Sequence, residues 1–217
     1  MDADKWNRIY EHIKAKQFEL SAQTPGTWKL TSRNLKRAAD RLYDFYHDAT
    51  LRDIRRSIEE VQSGQKVDGA RELKGDELED FLDGQLISVY FLLMGYAFEN
   101  LLKATLMLEH PEYFKPNAKM TEIRSHDLVK LCGRCNISLQ LQETNLLEEL
   151  TIYIEWQGKY PIPLEPEKMW PIKQADGSWK TRGVAFHGRK TQEEVDKLYI
   201  KIWNELEHRQ ESTRDSS

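Results

Sequence analysis

Residues 85–110, QLISVYFLLMGYAFENLLKATLMLEH, form the stretch that decides the fold of this chain. Apolar residues fall on nearly every side of the helix that this stretch predicts, so it cannot be a surface helix with one apolar stripe. Its uncharged run is about fifteen residues, whereas a membrane span needs roughly 20. Glu99 and Lys103 then follow in the middle of the helix, where lipid would penalise each charge. The stretch therefore predicts the core helix of a soluble helical bundle.

Length, composition and charge restrict the class of protein. The chain has 217 residues, enough for one domain with its own core. Charged residues make up 31% and the net charge is -4, which argues against a protein that coats nucleic acid through bulk charge. A local basic patch or a site-specific nucleic-acid enzyme stays open. The charged N-terminus lacks the apolar segment of a signal peptide, so we expect a cytoplasmic protein without a membrane anchor.

Further helices are predicted on both sides of the core stretch from apolar residues at helical spacing. Thr24-Pro25-Gly26 is expected to end the first helix, and Asp76 to cap the core helix. Ser125 or His126 is expected to cap a short helix. The predicted helical segments are residues 4–20, 32–62, 76–110, 125–132, 141–157 and 191–211.

The segment 159–190 differs from the rest of the chain because it is rich in proline and large aromatic residues. Its Asp176-Gly177 dipeptide predicts a small hairpin in which residues 170–174 pair with residues 178–182. Thr191, with Glu194 in the capping-box position, is expected to begin the final helix. The predicted fold is therefore all-α, an up-and-down bundle of five or six helices with a small hairpin-like insertion before the last helix.

The predicted single domain divides into four parts along the chain. N-terminal helices occupy residues 1–75, and the core helices occupy residues 76–158. The aromatic and proline-rich insertion covers residues 159–190, and the C-terminal helix covers residues 191–211. No internal repeat separates these parts, so we expect one bundle.

Cys132 and Cys135 form a lone Cys-x-x-Cys pair. A thioredoxin-like redox pair needs a βαβ context, which an all-α chain lacks. A structural zinc site needs two more ligands, and the sequence has neither a second Cys-x-x-Cys nor paired histidines at ligand spacing. The two cysteines are therefore interpreted as incidental, and no metal or cofactor is predicted.

Glu99 and Lys103 stand four residues apart on the most buried helix, the favourable order for an intrahelical ion pair. Two interpretations stay open: the pair neutralises itself at the helix end, or it lines a polar pocket together with His126. Lys159 and Tyr160 follow the helix over residues 141–157. They either close the core or hold a phosphate and a base by charge and stacking.

Arg182 and His187 stand five residues apart immediately before the final helix, followed by Arg189. An imidazole can take the proton of a 2′-hydroxyl or protonate a leaving oxygen. A guanidinium can bind a phosphate through two nitrogens and neutralise the charge that develops on it. The pair is a candidate for metal-independent cleavage of RNA, although this Arg-to-His spacing is a loose pattern by itself.

Three stretches together resemble the HEPN superfamily (higher eukaryotes and prokaryotes nucleotide-binding), an all-α bundle fold. Residues 95–108, GYAFENLLKATLML, look like the long "G-Y-x-x-E-x-x-L-K" helix of that superfamily. His126-Asp127-Leu128 with Leu131 is similar to its "H-D-L-x-x-L" motif. Tyr160-Pro161 is similar to the "R-Y-P" of one branch, with Lys159 in place of Arg. The likeness covers residues 86–161, less than half of the chain.

The resemblance implies a function as well as a fold. Catalytic HEPN proteins are metal-independent RNases with an Arg-x4-6-His motif at the entry to the last core helix, and Arg182 and His187 match its spacing. Gly183 stands where the family usually has a polar residue. Family members commonly form homodimers in which two motifs face one cleft. Many are toxins held by an antitoxin, so the resemblance implies a homodimer and a neutralising protein partner.

Three hypotheses follow from these observations. The first is a HEPN-like protein that binds RNA and, if catalytic, uses His187 as general acid/base and Arg182 as phosphate clamp. The second is a non-catalytic module that holds a nucleotide or small anion in a pocket of the same fold. The third is an interaction protein whose aromatic hairpin contacts a partner. The candidate binding residues are Glu99, Lys103, His126, Lys159, Tyr160 and Arg189.

Overall fold

A computed structural model of the chain describes residues 9–14, 16, 24–64, 73–114, 123–157, 159, 172–173, 179–180 and 189–215. Six α-helices account for most of these residues, which confirms the predicted all-α bundle. They are α1 (Pro25–Gln62), α2 (Asp76–Gly84), α3 (Leu86–Glu109), α4 (Leu128–Arg134), α5 (Leu141–Ile152) and α6 (Arg189–Asp215). A 3-10 turn follows α3 over Pro111–Phe114, and a π-helical turn continues α5 over Tyr153–Gln157.

The core helix predicted from the apolar stretch is α3. Most of its residues from Tyr90 to Met107 are buried against the other helices. Gly95 is a point of close packing, because a Cβ atom there would lie 2.6 Å from Cγ1 of Ile154. A side chain at position 95 would therefore push α3 away from the end of α5.

By length and composition alone, the stretch Asp76–Glu109 is long and apolar enough to cross a membrane. A buried core helix passes the same test, and α3 is buried over its second half. Only 33% of the most apolar 18-residue segment of that stretch is buried. The burial of α3 favours its assignment as a core helix.

Helices α1 and α6 run antiparallel across one side of α3. The Ser32 hydroxyl donates to the Ala97 carbonyl oxygen at 2.7 Å and bonds the Tyr199 hydroxyl at 2.9 Å. Lys36 lies 2.8 Å from Asp196, and Lys29 pairs with Glu207. The apolar residues whose helical spacing predicts the last helix are all buried: Val195, Leu198, Tyr199, Ile202 and Leu206.

Two predicted helix boundaries around α1 and α3 were wrong. Helix α1 begins at Pro25 rather than at residue 32, because the fixed φ and missing N–H of proline suit the first helical turn. The stretch from residue 76 is two helices, α2 and α3, which meet at Gln85. Asp76 is the first residue of α2 rather than its cap, since Gly75 with a φ of 57° occupies the capping position.

Two predicted caps were also wrong. Asp127, rather than Ser125 or His126, caps α4, because its side chain accepts a hydrogen bond from the Lys130 N–H at 2.9 Å. Helix α6 already begins at Arg189, so Thr191 lies inside its first turn. A capping interaction at the start of α5 was not predicted. There the Glu143 carboxylate accepts a hydrogen bond from the Gln140 N–H at 2.8 Å.

The predicted hairpin is confirmed in its register. Strands β1 (Ile172–Lys173) and β2 (Trp179–Lys180) pair antiparallel, with Ile172 opposite Lys180 and Lys173 opposite Trp179. The Asp176-Gly177 turn predicted this pairing because it leaves the two flanking segments opposite each other. Most of the remaining 159–190 insertion lies outside the described residues.

Candidate functional site

Three of the predicted binding residues meet on the buried face of α3. Glu99 and Lys103 each have side chains only 8% exposed, and their charged atoms lie 2.5 Å apart. The other carboxylate oxygen of Glu99 lies 2.9 Å from Nδ1 of His126, whose side chain is 49% exposed. We call Glu99, Lys103 and His126 the polar cluster. Glu99 and Lys103 form the predicted intrahelical ion pair, and Glu99 also contacts His126, so features of both interpretations are present together.

Local structure places each member of the polar cluster. The spacing of four residues puts Glu99 and Lys103 on one face of α3. His126 lies in the turn before α4, and the cap formed by Asp127 holds that turn. The Leu128 N–H donates to Oγ1 of Thr151 at 3.2 Å, which ties the start of α4 to α5. His126 is therefore anchored from two sides while it contacts Glu99.

The Glu99 carboxylate sets the chemistry of the His126 ring. An ionised carboxylate only accepts hydrogen bonds, so Nδ1 of His126 carries the proton that faces it. Nε2 is then the ring nitrogen that does not contact Glu99, and it can accept a proton when the ring is neutral. The cluster is electrically neutral with neutral His126 and carries one positive charge with protonated His126. Such a group can bind an anion or transfer a proton.

Two aromatic rings extend the polar cluster. The Lys103 ammonium lies 6.0 Å from the centre of the Trp28 ring, which supports a buried cation from its other side. Lys159 lies 5.4 Å over the Tyr96 ring, and Tyr96 precedes Glu99 by three residues on the same face of α3. The exposed charge of Lys159 thus lies beside a ring whose residue is one helical turn before Glu99.

Arg189 lies apart from the polar cluster. Its side chain is 76% exposed and forms an ion pair with Glu193 at 3.9 Å. The same end of α6 lies beside Tyr43, whose ring packs 5.1 Å from Tyr90. Tyr90 is nine residues before Glu99, so the two side chains leave opposite faces of α3. Arg189 and the polar cluster therefore belong to different sides of the core helix.

The remaining predicted site residues, Tyr160, Arg182 and His187, lie outside the described residues. Cys132 and Cys135 are free, buried thiols. Burial raises the pKa of Cys132 to about 12 and also raises that of Cys135, which leaves both as unreactive thiols at neutral pH. In the described ranges no group of three or more His, Cys, Asp or Glu side chains is placed to hold a metal ion.

Sequence analysis missed the two aromatic residues of the site. Tyr96 had a usable signal, because a residue three positions before Glu99 shares its helical face. Trp28 had none, since α1 brings it to Lys103 from a distant part of the chain. Comparisons with known proteins add no further constraint: no protein-family model, no curated protein and no solved structure matches this chain.

Proposed function

We propose that this chain is a cytoplasmic, HEPN-like helical protein that binds RNA or a nucleotide at the polar cluster. The observation that supports the proposal best is the buried Glu99 carboxylate held between Lys103 and a half-exposed His126. Burying two charges in a helical core costs free energy that apolar residues of similar volume would avoid. A binding function gives a reason for keeping them there.

The exposed groups around the cluster suit a phosphate. Lys159 presents a cation to solvent over the ring of Tyr96, which stands one helical turn before Glu99. Protonation of His126 at Nε2 would give a second donor for a phosphate oxygen. Glu99 and Lys103 would then act behind the ligand, holding the imidazole in one orientation.

Binding is tested with two probes, ATP and a short single-stranded RNA carrying a fluorescent label. Wild-type protein is expected to bind at least one probe saturably at low salt. His126→Ala and Lys159→Ala should each weaken binding about tenfold, the loss expected for a hydrogen bond to a charged group. Lys197→Ala, which removes an exposed lysine of α6, is the matched control and should leave affinity within about twofold. Unchanged affinity in both site variants would overturn the assignment.

A second candidate function is metal-independent cleavage of the bound RNA, which rests on the HEPN resemblance and the spacing of Arg182 and His187. His187 would accept the 2′-hydroxyl proton while the 2′-oxygen attacks phosphorus. The 5′-oxygen would leave with a proton, and a 2′,3′-cyclic phosphate would remain. Arg182 would neutralise the charge on the phosphate oxygens during this step. An activity of this kind would call for a neutralising protein partner.

Cleavage is tested by incubating the protein with RNA in EDTA. The wild type and Lys197→Ala should release cyclic-phosphate ends, whereas His187→Ala should not. His126→Ala separates the two sites: it should reduce cleavage only through weaker binding, and saturating RNA should restore the rate. Equal cleavage by wild type and His187→Ala would reject His187 as the acid/base. RNA binding without cleavage would leave the binding function alone.

A further inference from the structure

The π-helical turn over Tyr153–Gln157 continues α5 and packs against α3. Tyr153 is almost completely buried and Ile154 is fully buried. The Tyr153 ring stacks on the ring of Phe91 in α3, with the ring centres 5.0 Å apart. A π-helical turn is rare inside helices and is frequently found at functional sites. The buried start of this turn fixes it against the core helix.

Gly95 of α3 is the residue that admits the π-helical turn. A Cβ atom at position 95 would lie 2.6 Å from Cγ1 of Ile154, 2.9 Å from its Cδ1 and 3.1 Å from the Leu150 carbonyl oxygen. Any side chain at this position would therefore displace the start of the turn. Glycine lowers the stability of a helix relative to alanine, so a glycine in the middle of α3 needs a packing reason. The close contact with Ile154 supplies that reason.

Two residues of the proposed ligand site are neighbours of this contact. Tyr96 follows Gly95 directly in α3, and Lys159 is two residues beyond the end of the π-helical turn. The Lys159 ammonium lies 5.4 Å from the centre of the Tyr96 ring. Within the described part of the chain, no carboxylate forms an ion pair with Lys159. The position of Lys159 therefore depends on the Tyr96 ring and on the path of the chain out of α5.

The π-helical turn sets the direction in which the chain leaves α5. A π-helical turn holds one more residue between its hydrogen-bonded groups than an α-helical turn does. An α-helix advances by about 100° per residue, because about 3.6 residues complete one turn. A continuous α-helix in place of the π-helical turn would therefore carry the chain out about 100° further round the helix axis. That change would take Lys159 away from the Tyr96 ring.

We propose that Gly95 and the π-helical turn are positioning elements of the ligand site, which hold Lys159 over the Tyr96 ring. The phosphate that Lys159 would contact together with His126 is that of the proposed function, on which this proposal rests. Gly95 is buried and does not touch the ligand. It acts through Lys159, because a lysine side chain that is already held over a ring loses less freedom when it binds.

The first test reads the position of Lys159 without a ligand. Lysine side chains are methylated reductively with isotope-labelled formaldehyde, and their methyl signals are followed by two-dimensional NMR. The ring current of Tyr96 should move the Lys159 signal upfield of the signal of the exposed Lys197. The Lys159 signal is identified by its loss in Lys159→Ala, and it should move to the exposed position in Tyr96→Leu. An unshifted Lys159 signal in the wild type would overturn the contact and the proposal.

The same NMR signal tests Gly95 and the π-helical turn. Gly95→Ala should move the Lys159 signal to the exposed position, whereas Gly133→Ala, the matched control in α4, should leave it upfield. Deleting Glu155, an exposed residue of the turn, should restore an α-helical turn and shift the Lys159 signal without adding an atom to the core. Circular dichroism and urea unfolding check that each variant is folded. A Lys159 signal that stays upfield in either folded variant would overturn the proposal and leave Gly95 as a packing residue.

The second test measures affinity for the ATP and RNA probes. Gly95→Ala and Lys159→Ala should each weaken binding about tenfold. The double variant should bind no more than about twofold more weakly than Lys159→Ala, because Gly95 acts through Lys159. Added to His126→Ala, Gly95→Ala should weaken binding about tenfold further, since the two act through different groups.

The affinity outcomes separate this proposal from the proposed function. Full additivity of Gly95→Ala with Lys159→Ala would overturn the positioning role. Unchanged affinity in Gly95→Ala, beside weaker binding in Lys159→Ala, would overturn it too and leave the proposed function intact. Unchanged affinity in both Lys159→Ala and His126→Ala would overturn the proposed function and, with it, the role of Gly95 in binding.

Discussion

The bundle around α3 and the arm formed by the end of α1 with α2 each contain a buried carboxylate, but their surroundings are opposite. Glu99 and Asp80 have side-chain exposures of 8% and 6%. Glu99 accepts hydrogen bonds from a lysine and a histidine, and Asp80 accepts them from two arginines. Around Glu99 the apolar side chains of α3 are buried. Around Asp80 the apolar side chains are outside and the charges lie between the helices.

The difference shows which part of the described structure buries its own apolar side chains. The bundle is stabilised by apolar burial, and its ionic group is an addition that costs free energy. In the arm, Arg52 and Arg56 of α1 donate hydrogen bonds to the Asp80 carboxylate of α2 at 2.7 and 2.5 Å. Its apolar residues stay exposed. Asp80 is buried, but Arg52 is 50% exposed, and an ion pair that is open to solvent on one side contributes little. The arm therefore keeps more of its apolar surface exposed than the bundle does.

Removing the charge of Glu99 should produce the largest effect. In Glu99→Gln the Lys103 ammonium stays buried without its carboxylate, and we expect a loss of about 3–5 kcal/mol in the free energy of unfolding, measured in urea. Glu193→Gln, which breaks an exposed pair with Arg189, is the control and should cost less than about 1 kcal/mol. Similar values for both variants would erase the distinction between buried and exposed charge.

The same substitution in the two regions compares them directly. Ile154→Ala removes a fully buried side chain and should cost about 2–5 kcal/mol. Ile58→Ala, at 51% exposure, should cost about 1 kcal/mol or less. Equal costs for the two variants would mean that another part of the chain covers the arm.

Gly95→Ala tests how closely the bundle is packed. The new methyl group would meet Ile154 at 2.6 Å, so we expect a loss of about 1–3 kcal/mol in thermal or urea unfolding. Gly133→Ala is the matched control, because no atom of the described residues outside its own turn lies within 4 Å of the position that the added methyl carbon would take. There the change should be neutral or stabilising by up to about 1 kcal/mol. A harmless Gly95→Ala would show that α3 and α5 can separate without cost.

The smallest expected effect is the response of the arm to acid. The hydrogen bond from Arg52, followed by that from Arg56, lowers the pKa of Asp80. Its ionised form therefore stabilises the folded arm above the unfolded value of about 4, and this stabilisation is lost as the pH falls through the lower folded value. Hydrogen exchange of α2 should be faster in Asp80→Asn than in wild type at neutral pH.

The control for the acid response is Asp53→Asn, which changes an exposed aspartate 3.9 Å from Arg56. Its exchange rates should match the wild type at every pH. The gap between wild type and Asp80→Asn should close in acid, because protonation removes the same charge that the substitution removes. A gap that stays constant with pH would mean that Asp80 acts by shape rather than by charge.

Much of the fold could be predicted because it follows from local periodicity. The buried faces of α5 and α6 and the register of the hairpin all came from residues close in sequence. The helix ends were less predictable. A proline can end one helix or begin the next. The extended conformation of Thr24 shows that Pro25 begins α1.

The candidate site was predictable in part. Glu99 and Lys103 attract attention as charges on the most apolar helix, and their pairing follows from their spacing. The contact of His126 with Glu99 depends on how the turn before α4 is anchored to α5. Trp28 joins the site only through packing, whereas Tyr96 shares the helical face of Glu99 and could have been found from that spacing.

By itself the sequence determined that the chain is helical, that α3 is its core helix and that a hairpin precedes the last helix. Backbone geometry sets these features, because helical and strand periods are local properties of the chain. The tertiary structure decided which apolar rows are covered. The apolar row on α6 and the row formed by Leu51, Ile54, Ile58 and Val61 on α1 have similar spacing, yet only the first is buried. Burial depends on whether a second surface reaches the row, and local spacing carries no information about that surface.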